Sequence, residues 1–399
     1  MEQLFKVFNE IERLESRVIK LTQDLVRIPS PNPPGFEVDV SNYLIEALES
    51  IGFTTRQVES HPNRVNTLGY LRGVKGKPEL VWNGHVDTVP FGNPDYWTAD
   101  PLSGEVKDGR IYGRGSGDMK GAVAAAIVAA QALQETGFEL KGNLHIHAVA
   151  DEEYFGRYGS KYLCEKGYLD GVDMGIVGEG STRNRKIMAR PAVRGRTLVK
   201  ILVKGKSAHS SRPQMGVNAV LKMSKILLAI DGANFKFPRH EILPDPSIAP
   251  GTLINGGTKD NMIPEECEST TDVRTVPGMD PESILKDIGS IIENLSRSDP
   301  ELDVKVSSPL NKPPSEISVS HPLYGAADRA TRQVMGYPLE PLGASGSNDT
   351  SYLTTIAGVP AMAFGPGGGN AHAPDEWVDI KMLVDFAKIY AHMFMDLLG

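Results

Sequence analysis

Five apolar runs scattered over 399 residues each end in, or pass close to, acidic and histidine side chains. The segments are Gly84-His85-Val86-Asp87, Gly117-Asp118-Met119-Lys120-Gly121, Asp151-Glu152-Glu153, Gly178-Glu179-Gly180 and Asn370-Ala371-His372-Ala373-Pro374. Between them strands alternate with helices, which requires a mainly parallel sheet covered on both faces. In such sheets the site lies outside the carboxyl ends of the strands. His85 follows Trp82, Glu152 and Glu153 follow Val149, and Glu179 follows Val177. The oxygen and imidazole donors suit zinc, manganese or cobalt, and no thiolate is offered. Two metal ions close together need about five ligands, one of them bridging, together with a water and a base. The chain offers that inventory once.

The helices are read from spacing. Ile11, Leu14, Val18, Leu21 and Leu25 recur at three and four residues, predicting a helix from about 9 to 26. A second runs from about 38 to 52, and an Ala-rich one from 121 to 136. Strands are expected at 80–82, 144–149 and 175–177. After Arg194 the pattern changes. A strand at 197–203, a helix at 216–230, strands at 252–255 and 269–273, a helix at 281–295 and a strand at 302–306 follow in turn. This β-α-β-β-α-β order is the ferredoxin-like unit, complete in itself, and reads as an inserted domain. Helices at 322–335 and 380–397 and a strand at 361–364 return to the first domain. The expected division is 1–194 and 308–399 for the catalytic domain, with 195–307 inserted.

Composition removes several classes of function. Forty-two basic residues against fifty acidic ones leave a net charge of −8, which argues against nucleic acid or an anionic membrane as partner. The longest apolar run, Ala122 to Ala130, is far short of a span of about 20 residues. The N-terminus enters a charged amphipathic pattern without an apolar signal core. Two cysteines, Cys164 and Cys267, do not make a disulfide framework. A cytosolic protein is expected.

Each segment has an ordinary reading beside the chemical one. His85 and Asp87 are two apart at a strand end and can point the same way, so Asp87 could hold the second nitrogen of a ligating His85. Asp118 could be a helix N-cap, but capping does not explain the glycines at 113, 115 and 117, which suggest a backbone forced close to a metal pair. Three carboxylates at 151–153 after an apolar strand repel one another unless a cation neutralises them. One glutamate could then bind metal while its neighbour acts as general base. His372 is lifted above a solvated loop histidine by the glycines and the strand before it. A competing signal is His145-x-His147, like the paired strand histidines of barrel amidohydrolases. Five and seven residues of extended strand separate these from Glu152, roughly 15–23 Å, too far for one metal pair. They are expected to be buried and hydrogen-bonded.

Taken in order, these motifs resemble the zinc aminoacylase–carboxypeptidase family that contains acetylornithine deacetylase and succinyl-diaminopimelate desuccinylase. The resemblance runs from about Val26 to Leu397. It implies a metallopeptidase-like α/β catalytic domain interrupted by a mobile dimerisation lid, and a homodimer. By resemblance, His85, Asp118 and Glu179 hold one zinc and Asp118, Glu153 and His372 the other. Asp87 orients His85, Glu152 is the base, and a cis peptide follows Asp118. His209, in Gly205-Lys206-Ser207-Ala208-His209-Ser210-Ser211-Arg212-Pro213, resembles the histidine that reaches the neighbouring subunit's site. Asn261 and Arg274 resemble substrate-carboxylate contacts, and Arg194, Gly346 and Ser347 match a substrate-binding role less closely. Ser347-Asn348-Asp349 departs from the relatives' pattern, which leaves the acyl group open.

The expected function is hydrolysis of an amide next to a free carboxylate, foremost deacylation of an N-acyl amino acid by two divalent ions, zinc first and cobalt or manganese as alternatives. A dipeptidase or carboxypeptidase is the alternative with the same chemistry. A non-catalytic binding protein is disfavoured by Glu152, since a binder has no use for a base.

Overall fold

The apolar run that ends at His85 forms the strand Glu79–His85, inside a six-stranded sheet. The structure is a computed structural model that describes residues 2–399. Parallel strands flank this one, Asn143–Val149 on one side and Met174–Gly180 on the other, with Ala361–Gly365 parallel beyond the latter. The antiparallel pair Thr54–His61 and Arg64–Leu71 closes the opposite edge. Parallel strands point their carboxyl ends one way. His85, the turn 151–153, Glu179 and the loop after Gly365 therefore leave the sheet along one edge.

Alternation within the strands covers both faces. Leu80, Trp82, Leu144, Ile146 and Ile176 enter one buried cluster, whereas Val81 and Val177 enter another. The helix Gly121–Glu135 is apolar on nearly all sides, so it can only be stable fully enclosed. It packs against the first sheet face and against the helices Glu2–Arg13, Glu15–Arg27 and Ile380–Leu398. Trp82 lies across the strand ends in space that two glycines leave. A Cβ built on Gly84 or Gly178 would fall 2.6 or 2.2 Å from its ring. The floor beneath the ligand segments is thus an indole packed against bare backbone.

The chain forms two compact units, one running up to Ala192 and including Glu316–Gly343 and Asn348–Gly399, the other Val193–Ser315 with Ala344–Ser347. The second unit has four antiparallel strands in the order Ser247–Gly256, Glu266–Thr275, Gly195–Lys204, Asp303–Lys312. Helices Ala219–Asp231 and Pro281–Ser298 supply the rest of its core through Met223, Ile226, Ile284 and Ile288. Buried and part-exposed residues alternate along the strand 195–204, as for a sheet with one covered face. This is the ferredoxin-like arrangement.

The sequence pattern misses three details. The N-terminal helix is two, Glu2–Arg13 and Glu15–Arg27, broken at Leu14. The strand expected at 302–306 continues to Lys312. The hairpin 54–71 gave no signal because its outer strand, Thr54–His61, buries only Val58.

Candidate metal centre

Side chains from all five segments converge in the first unit. His85 Nε2 lies 3.1 Å from Asp118 Oδ1 and 3.6 Å from Glu179 Oε1. His372 Nε2 lies 3.1 Å from Asp118 Oδ2 and 3.2 Å from Glu153 Oε1. Asp118 thus turns one oxygen to each histidine, as a bridging carboxylate would. Donor atoms of His85, Asp118 and Glu153, and separately of His85, Glu152 and Glu179, lie within 4.8 Å of one another. The Asp118–Met119 peptide is cis, as the family resemblance implies. His372 sits in a loop where Asn370, His372 and Asp375 all take left-handed φ values, of 58°, 63° and 56°.

Buried groups behind the cluster hold it in place. Asp87 is fully buried. Its backbone oxygen is 2.9 Å from His85 Nδ1, while its carboxylate is 3.6 Å away. The sequence reading gave that contact to the carboxylate. The carboxylate is instead taken up by the backbone N–H groups of Glu152 (3.0 Å) and Glu153 (3.2 Å) and by Asn32 Nδ2 (2.8 Å). One side chain therefore fixes the backbone of both glutamates. Asn32 also donates to Asp151 Oδ1 at 3.1 Å, which pairs with Arg64, which pairs with Glu37. On the other side Glu376 accepts three backbone N–H groups, of Gly115, Gly117 and Asp118, and pairs with Arg114 at 2.6 Å. Lys120, also buried, donates to the carbonyls of Leu25 and Ile28. Sequence reasoning gave no task to Asn32, Arg64, Arg114, Lys120 or Glu376.

The electrostatics of the donor set fit a bound cation. Burial pushes Glu153 up to about 7, against the bond from His372. Burial and then the charge of Asp118 push Glu179 well above the usual carboxylate range. Hydrogen bonds donated to Asp118 and Glu153 raise His372 to about 10. Burial lowers His85, but its bond to Asp118 and the charges of Asp118, Glu179 and Asp87 together outweigh this and take it well above 6.5. Without metal the cluster therefore holds protons that a dication would replace. Arg190 is a further cation of this unit. Burial lowers it, and the charges of Glu179 and Asp118 oppose that. Its Nε is buried without a hydrogen-bond partner among the described residues, and its backbone is tied to Ala363 in both directions.

The other expected site residues lie in the second unit. His209 is exposed, and its Nδ1 accepts from Ser211 N–H at 3.1 Å. Its turn bridges Met262, and Ser210 N–H donates to Asn261 O, so the His209 and Asn261 turns are neighbours. Arg274 Nε donates to Asp272 at 2.7 Å, and Arg196 donates to the other oxygen of that carboxylate at 2.6 Å. Arg194 donates to Ser247 Oγ and, through its backbone, to Ala344 O. Gly346 and Ser347 lie on the short segment 344–347 of the same unit.

His145 and His147 are not part of the cluster. They lie on the strand 143–149, with rings stacked 5.9 Å apart. His145 faces Glu79 at 3.2 Å. His147 is buried as expected, but neither of its nitrogens has a hydrogen-bond partner among the described residues. Its neighbours there are the rings of Tyr70 and His145.

Comparison with known proteins agrees with this geometry. The sequence model of peptidase family M20/M25/M40 matches residues 81–396. A probable succinyl-diaminopimelate desuccinylase of Staphylococcus epidermidis is 28% identical, with 95% of this chain and 97% of that one covered. An N-formyl-4-amino-5-aminomethyl-2-methylpyrimidine deformylase of Bacillus subtilis is 26% identical, with 97% and 96% covered. Among solved structures, the dipeptidase Dug1p of Saccharomyces cerevisiae superposes with a TM-score of 0.79 at 19% identity, over 100% of this chain and 99% of that one. The M20 metallo-carboxypeptidase Sso-CP2 of Sulfolobus solfataricus gives 0.79 at 19% identity, over 95% and 98%. These structures speak for the fold, and the family match speaks for more. The chain belongs to peptidase family M20/M25/M40 and is a metal-dependent hydrolase of the metallopeptidase and amidohydrolase kind.

Proposed function

We propose that this enzyme removes the acyl group from an N-acyl amino acid by hydrolysing an amide next to a free carboxylate. The observation that carries the reading is Asp118 set between two histidines, with Glu153 and Glu179 beside them and Glu152 held next to Glu153. His85, Asp118 and Glu179 would hold one divalent ion and Asp118, Glu153 and His372 the other, zinc being the first choice for this donor set. When bound, the pair polarises the amide carbonyl and lowers the pKa of a water. Glu152 would take a proton from the attacking water, whose oxygen adds to the amide carbonyl carbon, and would pass it to the leaving nitrogen, so that the C–N bond breaks to a carboxylate and an amine. Asp87 fixes the backbone of Glu152 during this exchange.

Arg274 and Asn261, with Arg194, Gly346 and Ser347, are assigned to the substrate's carboxylate, a guanidinium being able to donate two parallel hydrogen bonds. Support for acyl removal comes from relatives named as a desuccinylase and a deformylase. Likeness to a dipeptidase structure keeps the dipeptidase as the second reading. Turnover of N-acetyl, N-succinyl and N-formyl amino acids, set beside dipeptides, with zinc, cobalt or manganese, separates the two. Cleavage of dipeptides alone would overturn the first.

A homodimer is part of the proposal. Leu221 and Leu228, on the helix 219–231, are 61% and 72% exposed, and Leu253 and Ile254, on the edge strand 247–256, are 70% and 53% exposed. An exposed apolar edge invites pairing with a second copy. His209 would then stabilise the oxyanion in the partner's site. His209→Ala and Glu152→Ala should each be inactive, and refolded together should regain about one quarter of wild-type activity through hybrid dimers. Confirmed hybrids without activity would refute the shared site. We assign the enzyme to the cytosol, a reading supported by two free buried cysteines. Among the described residues no helix is long and apolar enough to cross a membrane.

A further inference from the structure

Glu376 lies four residues beyond His372 and is 1% exposed. Its Oε1 accepts N–H bonds from Gly115 (3.1 Å), Gly117 (3.0 Å) and Asp118 (3.0 Å), and its backbone oxygen accepts one from Gly113 at 2.8 Å. Four N–H groups of one glycine-rich loop thus converge on a single residue of another. Such a concave set of backbone donors is built for an anion, and a carboxylate is the strongest acceptor a side chain offers. The bond to Asp118 N–H fixes that residue by its backbone and leaves both carboxylate oxygens to the histidines.

Arg114 extends the clamp. Its NH1 reaches Glu376 Oε2 at 2.6 Å and Ala373 O at 3.2 Å, and its NH2 reaches Pro90 O at 3.4 Å. Its guanidinium lies 5.1 Å from the centre of the Trp97 ring. Three ligand-bearing segments, 84–90, 113–118 and 370–376, are therefore tied through one buried ion pair. His372 needs such a tie more than His85 does. His85 ends a strand of the sheet, whereas His372 is half-exposed on an irregular loop in a left-handed conformation.

We propose that Glu376 is a positioning residue that sets the distance between Asp118 and His372, and so the affinity for the ion held by Asp118, Glu153 and His372. The proposal rests on the two-ion reading above. Glu376→Gln keeps the volume and one acceptor oxygen but turns an amide N–H₂ toward Arg114, donor against donor. Disturbing a group that orients ligands commonly weakens metal binding by about 10- to 100-fold. The same loss is expected here for the ion held by Asp118, Glu153 and His372, with a change under about tenfold for the other.

The experiment is a competition titration of metal-free protein with zinc and a chromophoric chelator, beside thermal melts without metal. Glu376→Gln should melt without metal below wild type as a single transition, lose affinity for one ion selectively, and regain kcat at excess zinc. Arg114→Gln leaves the three Oε1 bonds and should show a smaller loss of the same kind. It also carries the test if Glu376→Gln fails to fold. Unchanged affinities in both variants, or equal loss at both ions, would overturn the proposal. Wild type that binds fewer than two ions would instead overturn the metal assignment.

Discussion

Two pairs of histidines lie within the same unit and have opposite surroundings. His85 and His372 stand at strand ends and loops, each against carboxylates, and both are driven toward the protonated state. His145 and His147 stand within the strand 143–149, stacked on each other with Tyr70 edge-on to both and the single carboxylate of Glu79 beside His145, and burial drives both toward the neutral state. The second pair has the more familiar spacing of metal ligands. What separates them is the company each keeps. A histidine becomes part of a cation site when carboxylates converge on it at the edge of a sheet, and strand-interior spacing alone does not achieve that.

The largest test of this comparison is removal of metal. Prolonged dialysis against a chelator should abolish turnover, and added zinc or cobalt should restore it. The double variant His145→Phe/His147→Phe should respond in the same way, since the comparison gives that pair no metal. Loss of zinc stoichiometry in the double variant would break the distinction. Full activity of rigorously metal-free wild type would break the whole reading.

Next in size is the division between neighbouring glutamates. Glu152→Ala should bind both ions and lose activity by about 10²–10⁴, the usual cost of removing a general base. Glu153→Ala should lose metal first and activity as a consequence. Both backbones hang from Asp87, so neither variant should alter the fold. The reverse pattern, metal lost in Glu152→Ala and kept in Glu153→Ala, would exchange the two roles.

That His85, Asp118, Glu153, Glu179 and His372 meet was legible because each lies just beyond an apolar strand or inside a glycine run, and parallel strands share an edge. The groups that hold them were not legible. Asn32 is 55 residues from Asp87, and Glu376 is 258 residues from Asp118. The carboxylates of Asp87 and Glu376 bond largely to backbone N–H groups, which leave no mark in a sequence. The inserted ferredoxin-like unit showed through its element order, whereas the 54–71 hairpin was hidden by a polar edge strand. His147 was expected to find a hydrogen-bond partner, but a strand packed against aromatic rings provides none.

The smallest effect sharpens the comparison through pH. In metal-free protein the folded pKa of His372 is raised to about 10, so the stability it lends is full below 6.5 and fades as pH rises toward that value. His147 runs the other way. Burial lowers its folded pKa to about 3, below the 6.5 of an unperturbed histidine. The unfolded chain therefore binds the proton first, and stability falls as pH drops from 6.5 toward 3. One group can contribute about 1.4 kcal/mol per pH unit in that window, or about 2 kcal/mol between pH 6.5 and 5. His147→Phe keeps a ring against Tyr70, removes two unpartnered nitrogens and cannot titrate. Denaturant melts of both proteins at pH 8, 6.5, 5.8 and 5 should show similar stability at pH 8 and a shallower decline in the variant. The difference between the two curves isolates His147 from carboxylates that titrate in both. Parallel curves would mean that His147 is protonated or solvated in the folded state, and the contrast between the two pairs would lose its electrostatic basis.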